Sequence, residues 1–296
     1  MKLSHLALVV TLSAVTAFGL TKYATPTTGP AAEAKKETAF ERVMRTGTIR
    51  CAYPASVPPR FVFDPNTKEK SGVNYEIVEA IGKALHLKID WTEEVGYATF
   101  PENLSTGKED MFCSTVWTSA ARAHKALLTS PLFYIPLFVF VRNDVPTYDH
   151  HLEKLNNEAV SFSVMDGTTL EAVAKSTFPK ATLKSLPAGA DHIQPILDVA
   201  SGKADAVVYD QFNVLNYNRR NPDTALRQVL SDAPIRTYGE SFAVAMGEWE
   251  LREMINSALS ELQHDGTIDA ILRKYESEQG YFLRTQDPFR PSKQEK

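Results

Sequence analysis

Two stretches of this chain, LSTGKEDMFCS at 104–114 and VASGKADAVVY at 199–209, follow one local plan: a helix end, a glycine, a lysine, an aspartate and then an apolar strand. The glycine supplies the left-handed residue that a helix terminus favours, and a strand apolar on both faces has to be covered on both sides. A chain carrying this signal twice is restricted to helices layered over buried, mainly parallel strands. Convergent helix-to-strand chemistry produces so short a match about as readily as duplication does, so the echo bears on architecture and not on ancestry.

The sequence between and around these stretches alternates in the same way. TAFERVMRTG reads as a short helix stopped by Gly47, followed by a strand TIRCAY and a hairpin in FVFDPNTKEKSG. In VNYEIVEAIGKAL, Val73, Ile77, Ile81 and Leu85 recur at i, i+4 on one face, with Ala80 and Ala84 beside them, which is an amphipathic helix. KIDW, the segment 109–115 and LFVFVR at 137–142 read as strands, and the polar NDVPTYDHHLEKLNNE as a crossing into a second domain. VSFSVMDGTTLEAVAKSTF then gives a strand, a glycine turn and a helix with Thr168 and Glu171 at capping-box spacing. A helix at 189–201 and a strand at 204–209 follow, and ESFAVAM with helices at 248–263 and 266–276 is expected to return to the first domain.

The expected fold class is therefore α/β, with two lobes, each a mainly parallel sheet with helices on both faces, joined by two chain crossings. The expected partition is 39–142 and the return segment 239–283 in lobe 1, and 143–238 in lobe 2, followed by a polar tail at 284–296. With 296 residues, 43% hydrophobic and 23% charged, the chain is long enough for two cores, and a net charge of -4 without a basic cluster gives no sign of a nucleic-acid partner.

The first 20 residues differ in kind. Lys2 and His5 precede an apolar run of 15 residues, Leu6 to Leu20, too short for a membrane span of about 20 but suited to an export signal. A polar linker occupies 21–38, and no cysteine lies there to carry a lipid. The folded part is placed in the periplasm, with an uncleaved signal acting as a tether as the alternative. Cys51 and Cys113 both fall in strand-like runs. A bridge between neighbouring strands is commonly strained, so buried free thiols are the reading favoured here over a disulfide.

Ligands of open α/β sheets bind beyond the carboxyl ends of the strands. Arg122, Thr168 with Thr169, and Asp210 each follow such an end. Each also has a plain structural reading: Arg122 exposed in a short helix begun by Ser119, and Thr168 and Asp210 as helix caps. Capping and binding are compatible, and the combination has its own chemistry. A guanidinium binds a carboxylate through two parallel hydrogen bonds, free helix-start amides favour the same anion, and an opposing carboxylate holds an ammonium.

In FERVMRTGTIRCAY, VPPRFVF, GVNYEIVEAIGKAL, STGKEDMFCSTVWTSAAR with TSPLFY, MDGTT, ASGKADAVVYD and LQHDGTIDAILRKY, in that order, the chain resembles the amino-acid-binding branch of the periplasmic solute-binding proteins of ABC transporters. The resemblance implies a fold of two lobes closing on a ligand by hinge motion, no catalysis, no cofactor or metal, and a permease as partner. It places Arg122 on the ligand α-carboxylate, Thr115 and Trp117 in the first-lobe lining, Thr168 and Thr169 at the second-lobe amides, and Asp210 on the α-ammonium. Trp117 stands where the family often has a small hydroxyl residue, and Val57 where it often has an aromatic wall. Asn74 and Glu76 replace common aspartates, with Asn74 expected to cap its helix.

The sequence has no phosphate loop, no H-E-x-x-H and no G-x-S-x-G. Ser105 and Lys108 form an S-x-x-K broken by Gly107, and His150 and His151 face apart if extended. The enzymatic alternative is a secreted dehydratase of the cyclohexadienyl dehydratase type, which needs a general acid, with Glu93, Glu94, Glu171 and Glu240 as candidates. A third alternative is a ligand-sensing module for a membrane partner.

Overall fold

In the computed structural model, residues 37–97, 99–187, 190–230, 233–276 and 281–286 are described. The expected export signal, nearly all of the linker and the tail beyond Gln286 lie outside them.

The first helix, α1 (Ala39–Thr46), is closed at both ends as its sequence predicts. Thr38 and Glu41 form a reciprocal capping box, and Gly47 ends the helix with φ 66°. Strand β1 (Thr48–Tyr53) follows, then the hairpin β2 (Val62–Phe63) and β3 (Lys70–Ser71), helix α2 (Val73–Ala84) and strand β4 (Lys88–Glu94). Val73, Ile77 and Ile81 of α2 are fully buried, as their spacing requires.

Helix α3 (Phe100–Ser105), strand β5 (Met111–Trp117), the single turn α4 (Ala120–Ala123), β6 (Leu127–Leu128) and the long β7 (Phe133–Arg142) complete this half of the chain. The second half contains β8 (Ser161–Met165), α5 (Thr169–Thr177), β9 (Thr182–Leu186), α6 (Gln194–Ala200), β10 (Ala206–Asp210), α7 (Gln211–Arg220) and β11 (Leu226–Gln228). The chain returns along β12 (Arg236–Val244) into α8 (Trp249–His264), α9 (Thr267–Tyr275) and β13 (Leu283–Arg284).

The main sheet has eleven strands, with the order β4-β1-β5-β12-β7-β10-β8-β9 along its main path. β4, β1 and β5 are mutually parallel, as are β10, β8 and β9. Between the two parallel sets lie β12 and β7, antiparallel to each other and to their outer neighbours. These two strands are hydrogen-bonded along Arg236–Glu240 and Phe133–Leu137, and β7 ends at Arg142, just before the polar segment NDVPTYDHHLEKLNNE expected from sequence to make the first crossing. Hydrogen bonding therefore runs unbroken from one half of the sheet into the other.

The two echoed stretches hold equivalent places, since β5 and β10 are the parallel strands lying against the β12–β7 pair. Gly107 and Gly202 both have φ 74°. The shared aspartates perform one task. Asp110 Oδ2 accepts from the Arg50 amide at 2.7 Å while the Asp110 amide donates to Arg50 O at 2.9 Å. Asp205 repeats this with Ser161 at 2.8 and 2.9 Å. Each aspartate thus fixes the register of a new strand against its parallel neighbour. Asp110 is buried and also bonds the guanidinium groups of Arg42 and Arg50.

Two expectations are corrected. Cys51 and Cys113 form a disulfide, with Cα atoms 5.4 Å apart, where free thiols were favoured. β1 and β5 are paired neighbours with Cys51 opposite Met111, so the diagonal position of Cys113 brings both sulfurs to the same face. Asn74 does not cap α2. Gly72 occupies the N-cap, and the Val73 and Asn74 amides donate to the carbonyls of Pro59 and Arg60 at 2.9 and 2.8 Å. With the helix start satisfied by backbone, the buried Asn74 side chain turns to β5, donating to Ser114 Oγ at 2.9 Å.

Candidate functional site

The carboxyl end of β5 carries Thr115 and Trp117, and α4 follows with Arg122. Ser119 caps this turn by accepting from the Arg122 amide, which sets the guanidinium back over the strand end. Arg122 Nη1 donates to Trp117 O at 3.0 Å, and this is its only side-chain hydrogen bond among the described residues. Burial pushes this guanidinium below its ordinary pKa, while the Glu240 carboxylate and Tyr97 act in the other direction. A half-buried, charged fork with free N–H groups is an anion receptor.

Trp117 is held on both sides. Its ring stacks on Tyr238 of β12 with centroids 5.3 Å apart, and its indole Nε1 donates to Glu240 Oε1 at 2.8 Å. Glu240 also lies on β12, opposite Trp117 in register, and is 1% exposed. The same oxygen accepts from Arg60 Nη2 at 2.8 Å. Glu240 Oε2 has no partner among the described residues. Ser114 Oγ receives Asn74 and lies 3.0 Å from the Tyr97 hydroxyl, whose pKa is raised mainly by burial.

Asp210 ends β10 and caps α7. It accepts from the Asn213 amide at 3.0 Å and from Asn213 Nδ2 at 2.7 Å, and is 4% exposed. Its carboxylate acts on Arg60. Burial acts most strongly and would lower the Arg60 pKa, but Glu240, Asp210, Tyr97 and Tyr209 together outweigh it and leave the group above its ordinary value. The neighbouring Tyr209 hydroxyl is raised by burial and by Asp210.

Trp117 and Arg122 thus share one cluster with Tyr97 and Glu240; Thr115 is joined to it only by way of Asn74, at 3.4 Å, and Asp210 only by the influence of its charge on Arg60. Thr168 and Thr169 have no hydrogen bond or ion pair to it among the described residues. The Thr168 hydroxyl is committed to its own helix, accepting from the Glu171 amide at 3.3 Å and donating to Met165 O at 2.7 Å. Glu171 reaches back to the Gly167 amide at 2.7 Å rather than to Thr168, so the capping box closes one residue early. The first-turn amides of Thr169 and Leu170 have no acceptor within the helix, so an anion is the partner they suit. Two surface cavities, of about 420 Å³ beside Arg142 and Asp144 and about 550 Å³ beside Tyr75 and Trp91, are lined by other residues.

Sequence reasoning passed over Arg60 and did not single out Glu240. The signal for Arg60 was the one that marked Arg122, a lone guanidinium in an apolar run, here VPPRFVF.

A profile of the family described as bacterial extracellular solute-binding proteins, family 3, matches residues 49–278. The chain is 27% identical over 225 residues to the amino-acid-binding protein AabA of Dichelobacter nodosus, covering 75% of this chain and 85% of that protein. It is 26% identical over 247 residues to the probable amino-acid-binding protein YxeM of Bacillus subtilis, covering 80% and 85%. Among solved structures, an ancestral amino acid-binding protein described as a precursor of cyclohexadienyl dehydratase superposes with a TM-score of 0.65 at 26% identity, covering 80% of this chain and 99% of that one. An ancestral arginine-binding protein bound to arginine gives 0.61 at 27%, covering 77% and 98%.

Proposed function

The chain belongs to the bacterial extracellular solute-binding proteins, family 3, and on that premise we propose that it captures a small carboxylate-bearing solute, an amino acid or a derivative of one, and delivers it to an ABC permease. The observation that carries this reading is the Arg122 guanidinium at the end of β5, half-buried and bonded only to Trp117 O among the described residues. Its remaining donors suit the two oxygens of a carboxylate, with the α5 amides at Thr169 and Leu170 as the second anion-binding group. Asp210 supplies the opposite charge for an ammonium.

Residues 39–142 and 239–283 act as one lobe and 143–238 as the other, with β7 and β12 as the hinge. Arg122 lies on the first lobe and Asp210 on the second, so a ligand that bridges them is bound better when the lobes are closed. Only such differential contact shifts an open–closed equilibrium. The apolar run Leu6 to Leu20, read as an export signal, supports a periplasmic location for this activity.

A thermal-shift screen of the twenty amino acids, each with its desamino analogue, tests the assignment. Asp210→Asn is expected to weaken the best amino acid about 10- to 100-fold, the cost of one charged hydrogen bond, while changing its desamino analogue little. Equal losses for both would remove Asp210 from ammonium recognition. A dehydratase would need a general acid beside the bound carboxylate. Of Glu93, Glu94, Glu171 and Glu240, only Glu240 stands in the Arg122 cluster, and it is engaged in a salt bridge with Arg60. No turnover of prephenate or arogenate is expected.

A further inference from the structure

Arg60 and Glu240 form an ion pair at the heart of the cluster, its carboxylate buried and its guanidinium partly so, yet neither is needed to hold a carboxylate or an ammonium. Their surroundings are built with care. The Pro59 and Arg60 carbonyls are fixed by the first two amides of α2, at 2.9 and 2.8 Å. A side chain at Gly72, where φ is 111°, would come within 2.7 Å of Arg60 O, so only glycine lets the helix start approach this closely. The guanidinium is thereby delivered to Glu240 from a rigid base, and Trp117 Nε1 completes the acceptor Oε1 at 2.8 Å.

We propose that Arg60 is a built-in counter-ion that stands in for a ligand's cationic side chain at Glu240 and so restricts the site to amino acids whose side chain is uncharged. The inference rests on the amino-acid reading above and goes further by naming the class.

Charge balance is the reason. Arg60 and Arg122 contribute two positive charges, and Glu240 and Asp210 two negative ones, so the cluster is neutral as it stands. A zwitterion engaging Arg122 and Asp210 leaves it neutral. A lysine or arginine side chain adds an uncompensated cation beside Arg60, and a glutamate side chain adds an uncompensated anion beside Glu240. Neither unpaired charge is tolerated in a water-poor site. Glu240 Oε2 has no protein partner among the described residues and is buried, so it suits a neutral donor such as a carboxamide or hydroxyl. The pair lies in the field of both ligand handles, since Glu240 acts on Arg122 and Asp210 acts on Arg60.

Titration calorimetry of the full chain with glutamine, lysine and glutamate decides the matter. The wild type is expected to bind glutamine at least about tenfold more tightly than either charged amino acid. Arg60→Met strips Glu240 of its cation and is expected to reverse the preference in favour of lysine. Glu240→Gln strips Arg60 of its anion and is expected to reverse it in favour of glutamate. The two variants predict opposite switches, so each stands if the other fails to fold, and the wild-type ratio decides if both do. A wild type that binds lysine or glutamate as tightly as glutamine overturns the proposal, as does a folded variant that keeps the wild-type order. Retained binding with an unchanged order would leave the amino-acid reading intact, whereas a wild type that binds none of the twenty amino acids overturns both.

Discussion

Arg122→Ala is expected to lose at least about a hundredfold in affinity for every amino acid the protein binds, whatever its side chain. Two charge-assisted hydrogen bonds contribute roughly 1.5–3 kcal/mol each, and about 1.4 kcal/mol is a factor of ten. The folded state should change little. The variant removes one side-chain bond, Arg122 Nη1 to Trp117 O, which, made by a charged but half-exposed donor, is worth about 1.5 kcal/mol net, a small part of the stability of a chain this size. Glu240 keeps Arg60 and Trp117, so no buried carboxylate is abandoned. Thermal shift separates the two effects. A ligand at 100 times its dissociation constant stabilises the wild type by about 2.7 kcal/mol, and this increment should vanish in the variant while the unliganded melt stays close to wild type. Arg122→Lys should fall between, because an ammonium keeps the charge but not the parallel fork. An alanine variant binding within tenfold of wild type would show that the anion is held elsewhere.

The residues that carried the architecture were those whose local chemistry is sufficient by itself. Gly107 and Gly202 end helices with the same φ because nothing but the chain before them is required, and the strands behind them are buried because they are apolar on both faces. The spacing of Val73, Ile77 and Ile81 fixed the inner face of α2 for the same reason. β9 was missed because most of TLKSL is polar and only half covered, so its strand state comes from pairing with β8. β12 was anticipated only over its apolar ESFAVAM part. Its first residues, RTYG, become strand by lying against β7.

The candidate site was legible only in the placing of single residues. Arg122 and Asp210 follow strand ends that come from the alternation of elements, whereas Thr115 and Trp117 were named from the family resemblance. Arg60 and Glu240 are 180 residues apart, and their bond exists only because β12 returns beside β5. No local pattern contains that return in register. Asn74 shows the converse: its residue type suits a cap, but the helix start had already been satisfied by Pro59 and Arg60 carbonyls, which are distant from a propensity argument.

The disulfide makes the other large prediction. Cys51→Ala and Cys113→Ala are each expected to cost about 2–4 kcal/mol, and the double variant scarcely more than either alone. The bond closes a loop across a sequence separation of 62, and its loss restores conformational freedom to the unfolded chain whichever half is removed. For a chain of this size that corresponds to a fall of roughly 4–8 °C in Tm. Two free buried thiols would behave differently. Each substitution would then carry only its own small packing cost, and the double variant would show their sum. Non-additivity in this cycle is therefore the signature of the bond, and thiol titration of the wild type in denaturant, expected to find none, is its chemical counterpart. Affinity should suffer less than stability. Cys113 lies directly before Ser114 and Thr115, but those residues are also held by Asn74 at 2.9 and 3.4 Å, and β5 remains clamped between β1 and β12. A double variant that melts like the wild type would mean that the strand pairing alone holds the floor of the site and that the cross-link contributes nothing to it.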